Sequence, residues 1–269
     1  MVDIHSHILP LIDDGSCSLH ESIVMLKMCI DSGVDTIVAT PHLYPGTYIA
    51  PTAYRDEMLL ELRGTVEKRQ LPIEIVSGRE CYLSPEIYDC EKDLGRLTIN
   101  DNGKYLLIEF PMHEIPQYVK RMIFDIQVRG ITSIIAHAER YHDIIEDPNL
   151  TREFIDMGCL IQVNVGSILG KYGRHIQRTS EILLDHQMVH IVASDMHTQH
   201  SMPLGKGFER LSKIVGQDEA CHLVDKHPRA VIQNQPVHCS NPLVYHPKNN
   251  LRNLWGLFSK PSPPPRDDS

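Results

Sequence analysis

This chain of 269 residues is marked first by what it lacks. No apolar run approaches the roughly 20 residues needed to cross a bilayer, so no membrane insertion is expected. The first residues carry no basic stretch leading into an apolar one, and the expected compartment is the cytoplasm. The seven cysteines are odd in number, scattered and without a C-x-x-C pair, which fits reduced thiols rather than a disulfide framework. Basic residues are in deficit: 26 Lys and Arg face 35 Asp and Glu, for a formal charge of −9. That excludes general nucleic-acid binding, because a phosphate backbone is held by basic clusters, and leaves room only for a local basic pocket. No internal repeat is visible, so the sequence gives no sign of a repeat architecture.

What is present is apolar: 42% hydrophobic residues can bury a sizeable core in one large α/β domain. Seven short apolar, β-branched runs predict strands at Val2–His5, Thr36–Thr40, Ile73–Ser77, Tyr105–Phe110, Ile131–Ala136, Leu160–Asn164 and Val189–Ser194. Such near-continuous apolar strands are typical of parallel sheets covered on both faces. Helical spacing predicts helices over Glu21–Ser32, Tyr54–Lys68, Ile115–Arg129, Leu150–Met157, Ser180–Gln187 and Phe208–Val215, with Gly33 stopping the first. Strand–helix alternation over seven strands predicts an α/β barrel rather than an open sheet. The barrel is expected to fill residues 1–238, with 239–269 as a C-terminal extension. The Pro-rich end, "FSKPSPPPRDDS", is expected to be disordered, with Trp255 and Phe258 at its edge packed back on the body or, as the second reading, meeting a partner.

In a parallel barrel the functional rim lies at the C-terminal ends of the strands. Six of the seven predicted strands run into His, Asp or Glu there: His5 and His7, His42, Glu80, Glu109, His137, then Asp195 and His197. The strand ending in Asn164 is the exception. Residues two apart on a strand face the same way, so His5 with His7, and Asp195 with His197, can each grip an ion from one side. Asp14, in the turn "IDDGS", can fold over the mouth, with Asp13 the weaker candidate. These nine groups exceed what one ion needs. Mixed imidazole and carboxylate without thiolate suits Mn, Fe or Zn, and two or three ions sharing bridging carboxylates are expected. Four carboxylates facing one cavity would otherwise repel one another.

The stretches "DIHSH", "TPH", "GRE", "IEF", "AHAERY" and "SDMH", in this order, resemble the PHP (polymerase and histidinol phosphatase) superfamily. "DIHSHILPLIDDGS" and "HAERY" resemble in particular its bacterial manganese-dependent tyrosine phosphatases linked to capsule and exopolysaccharide synthesis. The likeness runs from about Val2 to about Met202. It implies a distorted (β/α)7 TIM-like barrel, a trinuclear metal centre and hydrolysis of phosphotyrosine on the tyrosine-rich tail of a partner bacterial tyrosine kinase. Position by position, the family's ligands match the nine residues above, and its phosphate-binding arginine matches Arg140. There is one departure. Where relatives often carry a second arginine in a context like S-R-P, this chain reads "HSMP" with Met202, and Lys206 and Arg210 are the substitutes at hand.

Clustered divalent ions activate water and steady an in-line displacement at phosphorus. Arg140, three residues past His137, is expected to clamp the phosphoryl group through planar, charge-assisted hydrogen bonds. His42, Asp14 and His197 complete the expected catalytic set. His113, His142 and His200 fall in loops near the rim and are expected to be solvated. Two rival chemistries remain: a small-molecule phosphatase or phosphodiesterase on the same ligands, and a non-enzymatic metal-stabilised binding module. The segment "CEKDLGR", Cys90 to Arg96, fits the C-x5-R spacing of thiol phosphatases, but Asp89, Glu91 and Asp93 would point negative charge into the phosphate cradle.

Overall fold

The computed structural model describes residues 1–247; the Pro-rich end, Trp255 and Phe258 lie outside the described residues. All seven predicted strand positions form strands, at β1 (Val2–Asp3), β2 (Thr36–Ala39), β4 (Glu74–Ser77), β6 (Tyr105–Glu109), β7 (Thr132–Ile135), β8 (Leu160–Asn164) and β9 (Ile191–Ala193). Two short strands, β3 (His42–Leu43) and β5 (Glu80–Tyr82), were not separable in the sequence. They continue β2 and β4 after breaks at Thr40–Pro41 and Gly78–Arg79. Pro41 has no N–H to give the ladder, which accounts for the first break.

Every ladder is parallel. The strands lie in a three-stranded sheet, β1-β2-β4, and a six-stranded sheet, β3-β5-β6-β7-β8-β9. Just beyond β1 and β9, Ser6 forms an isolated parallel bridge with Met196. His7 N–H donates to the Met196 carbonyl at 2.9 Å, and Asp195 N–H donates to the His5 carbonyl at 2.9 Å. Strands β6, β8 and β9 are buried throughout, as sheets covered on both faces require.

Helices cover the sheets through apolar stripes. The helix Tyr118–Val128 buries Val119, Met122, Ile123 and Ile126, which recur at three- and four-residue spacing on one face. The helix Leu19–Asp31 buries Ile23, Met25, Leu26 and Cys29. Its first turn is closed by the Ser18 side chain, which accepts from Glu21 N–H, while the Glu21 carboxylate accepts from Cys17 N–H at 3.0 Å. Cutting Leu26 to Ala would cost about 2–5 kcal/mol through lost burial and the remaining cavity. One expectation needs correction. The predicted helix 180–187 starts six residues earlier, as Arg174–Asp185, because its polar first turns hide the periodicity. A further helical run, Gln217–Cys221, His222–Lys226 and His227–Ile232, was not foreseen. No helix of the described residues is long and apolar enough to cross a membrane.

Candidate metal centre

The C-terminal strand ends bring eight of the nine candidate ligands into three overlapping groups. His5, His7, Glu80 and Asp195 form one, His42, Glu80 and Glu109 a second, and His7, Asp14, His42 and His197 a third. Within each group one ligand atom per residue lies within 4.8 Å of the others. Glu80, on β5, is at the middle: its Oε2 lies 3.0 Å from His5 Nε2, 3.2 Å from His7 Nε2 and 3.1 Å from His42 Nδ1. The ninth residue, His137, joins through Glu80, with Nε2 2.9 Å from its Oε1. His42 Nδ1 is also 3.0 Å from Glu109 Oε1.

Most of this cluster is sealed. His5, His7 and Glu80 are fully buried, while Asp14 has a half-exposed side chain at the mouth, 3.5 Å from His42 Nε2 and 3.7 Å from His197 Nε2. Asp14 sits in a turn that folds back on the end of β1. Gly15 permits this, since a Cβ there would lie 2.3 Å from the His7 carbonyl oxygen. The pairing of Asp195 with His197 was expected from an extended strand, and that reasoning needs correction. Asp195 is left-handed, with φ +52, and so is His137, with φ +37. Such non-glycine strain concentrates at functional sites.

The side chains that orient the ligands were not foreseen. His7 Nδ1–H donates to Asp13 Oδ2 at 2.7 Å, which leaves Nε2 facing the cluster. The same carboxylate oxygen accepts from His42 N–H at 2.8 Å. Asp13, expected only as a weaker ligand candidate, therefore holds in place the two segments that carry His7 and His42. From β8, Gln162 Oε1 accepts from His5 Nδ1–H at 3.0 Å and from His137 N–H at 2.9 Å. Gln162 Nε2 donates to Asn164 Oδ1, and Asn164 Nδ2 donates to Asp195 Oδ2, both at 2.7 Å. The strand without a candidate ligand thus carries an amide relay that orients three of the candidates. A signal existed: Gln162 and Asn164 are polar residues two apart in an otherwise apolar strand.

Burial should favour neutral groups here, yet the partners overrule it. Burial pulls the His5 pKa down, but Glu80 and Asp195 raise it to about 9. Burial pulls Glu80 up, but His5, His137 and His7 hold it well below the usual carboxylate range. His197 goes the other way, to about 4, through burial and the neighbouring charge of His7. The donor set fits divalent cations on geometry. Glu80 Oε2 and His42 Nδ1 are buried 3.1 Å apart, yet neither has a hydrogen-bond partner. Their lone pairs converge without satisfying one another, as expected of atoms aimed at a shared cation.

Arg140 stands at the edge of the cluster, its Nη1 donating to Asp195 Oδ2 at 3.1 Å, with its side chain part-exposed. It does not pair with Glu139, whose carboxylate accepts from Asn164 N–H and the Ser167 hydroxyl. His113, His142 and His200 are exposed. Arg210 is engaged by Glu181, while Lys206 is exposed and lines a surface groove with Met202. Cys90 is exposed, its thiol pKa raised by burial and by Asp89 and Glu86, and Arg96 pairs with Asp56. A nucleophilic thiol needs the opposite environment.

Fold and cluster together define a class: parallel α/β proteins with a candidate multi-metal centre at the strand ends. Residues 1–233 match the family described as capsular polysaccharide synthesis, CpsB/CapC, and the chain belongs to that family. It is 32% identical to tyrosine-protein phosphatase YwqE of Bacillus subtilis (strain 168), over 96% of this chain and all of that one. It is 33% identical to tyrosine-protein phosphatase CpsB of Streptococcus pneumoniae, over 87% of this chain and 99% of that one. Among solved structures it matches one from a study of YwqE from Bacillus subtilis and CpsB from Streptococcus pneumoniae, described as unique metal-dependent tyrosine phosphatases. That match has a TM-score of 0.84 and 31% identity, covering 92% of this chain and all of the other.

Proposed function

We propose that this chain is a metal-dependent protein-tyrosine phosphatase acting on the tyrosine-rich tail of a bacterial tyrosine kinase that controls capsule or exopolysaccharide synthesis. The observation that carries the reading is the convergence of His5, His7, His42, Glu80, Glu109, Asp195, Asp14 and His197 into three overlapping ligand groups with Arg140 beside them. With His137, these residues would hold two or three divalent ions, manganese first among them. When bound, such ions lower the pKa of water and neutralise charge on a phosphoryl group.

The chain's own groups would do the rest. Arg140 would bind the phosphoryl oxygens through its planar fork, held in place by Asp195. Asp13, Gln162 and Asn164 fix the ligands before substrate arrives, so little reorganisation is needed on binding. Tyr48 lies over His42, rings 5.6 Å apart and nearly parallel, and walls the mouth beside Asp14. Phenoxide, with a parent pKa near ~10, leaves without strong acid assistance. His197, neutral at pH 7 by its pKa of about 4, suits a ligand better than a proton donor.

Further parts of the reading follow from the same observations. The Ser6–Met196 bridge between the β1 and β9 ends supports closure of the two sheets as a distorted (β/α)7 barrel spanning residues 1–238. Seven free cysteines support a cytoplasmic, reducing compartment. The test is turnover of a phosphotyrosine peptide by manganese-loaded protein, beside histidinol phosphate and a nucleotide diester. Selective hydrolysis of the peptide is expected. Preferred turnover of either small molecule, or of none of the three, would overturn the reading.

A further inference from the structure

Arg140 does not stand alone at the rim. Its guanidinium carbon lies 5.1 Å from the centroid of the Tyr172 ring, and Lys171 Nζ lies 5.7 Å from the same centroid. The ring is seated against the backbone, since a Cβ on Gly166 would meet it at 3.0 Å. Beyond Gly173 the helix Arg174–Asp185 begins, with Arg174 and Arg178 exposed on its first turns. Four residues apart, they share a helix face. Among the described residues, Lys171, Arg174 and Arg178 make no ion pair, whereas the surface residues Arg96, Arg210 and Arg229 do. Glu146 and Asp147 line a groove with His175 and Arg178, so the Lys171–Arg174 end of the patch is the more positive.

We propose that Lys171, Arg174 and Arg178, with Tyr172 at the end nearest Arg140, form a second phosphoryl-binding subsite next to the reaction site. Its occupant is a second phosphotyrosine of the same peptide; this rests on the phosphatase reading above. The charge argument is direct. In a chain of net charge −9, Lys171 shares the Tyr172 ring with Arg140, and the unmatched Arg174 and Arg178 follow it on the next helix, so positive charge continues along the chain from the rim. A phosphotyrosine brings about −1.5 to −2 charges and three acceptor oxygens, which guanidinium groups bind in pairs. Its ring can also stack on Tyr172. An extended peptide covers roughly 3.3 Å per residue, so phosphotyrosines a few residues apart can reach both places. Binding one then raises the local concentration of the other.

The experiment compares three peptides of one sequence: one phosphotyrosine, two phosphotyrosines, and one phosphotyrosine with glutamate in the second position. For the wild-type protein, kcat/KM is expected to be about tenfold higher on the doubly phosphorylated peptide, beyond the factor of about two from having two targets. The triple variant Lys171→Ala, Arg174→Ala, Arg178→Ala should lose that preference and keep turnover of the singly phosphorylated peptide within about twofold. Equal turnover of the peptides by wild type, a preference that survives in the triple variant, or an equal preference for the glutamate peptide overturns the subsite. If no peptide is hydrolysed, it is the phosphatase reading that fails. Fluorescence anisotropy with the same peptides and both proteins then decides the subsite alone: tighter binding of the doubly phosphorylated peptide, lost in the variant, supports it, and equal binding overturns it.

Discussion

Two pairs of buried histidines show what separates a site from a scaffold. His5 and His7 follow β1 and face Glu80 and Asp195. His190 precedes β9 and faces backbone: its Nδ1 accepts from Ile161 N–H at 3.0 Å, and its carbonyl accepts from His227 Nδ1–H at 2.8 Å. Burial is similar in both places. The pKa shifts of His5 and His190 run in opposite directions. Carboxylates raise His5 to about 9 against the pull of burial, whereas burial and the neighbouring His227 push His190 down to about 4. Sixteen histidines therefore locate nothing by themselves; convergence with carboxylates does.

The harshest break of this contrast is chelation. EDTA is expected to abolish phosphotyrosine hydrolysis, and manganese to restore it. Cys90→Ser should retain most activity; the reverse pattern would move the chemistry to the thiol. Glu80→Gln attacks the same end at its middle. Elemental analysis should show less bound metal per chain, and activity should fall by more than about 10²-fold, beyond the usual effect of losing an orienting residue. Glu80→Gln with full metal content would remove Glu80 from the ligand set.

Arg140 comes next. Arg140→Ala is expected to lower kcat/KM by about 10²–10³-fold with metal content unchanged, as for loss of one preorganised donor. Arg140→Lys should recover only part, since an ammonium cannot form the paired contact. Full activity in Arg140→Lys would reduce the residue to a point charge. Gln162→Ala is milder. It should weaken metal binding about 10–100-fold, read by competition with a chelating dye, because His5 and Asp195 lose their orientation. An unchanged affinity would show that the amide relay is only packing.

The strand ends and the metal candidates were legible because both leave linear traces. Apolar runs mark strands, and a His, Asp or Glu at or just past the end of six of the seven marks the rim. The orienting residues were less legible for a physical reason. An amide such as Gln162 is charged at no pH and carries no ligand signature, so its role appears only when the segments that follow β1 and β7 converge on β8. Asp13 read only as the weaker ligand candidate of its turn, because its partners His7 and His42 follow different strands in the sequence. The early start of the helix Arg174–Asp185 was hidden by its polar first turns, the same residues that form the cationic patch.

His190→Leu sharpens the contrast with the smallest effect. Leucine keeps the bulk but offers no acceptor to Ile161 N–H, so the variant should lose about 1–3 kcal/mol of stability in urea titration at neutral pH. Metal content and turnover should not change. The loss should also depend on pH. Folded His190 takes a proton only near a pKa of about 4, whereas the unfolded chain does so near 6.5. The unfolded state therefore binds more protons in that window, and the wild-type contribution, complete above 6.5, is lost as pH falls toward 4. The gap between wild type and variant, measured on metal-free protein so that the ligand histidines contribute equally to both, should narrow over the same window. A gap that stays constant would mean that His190 titrates alike in both states, and the contrast with His5 would rest on geometry alone.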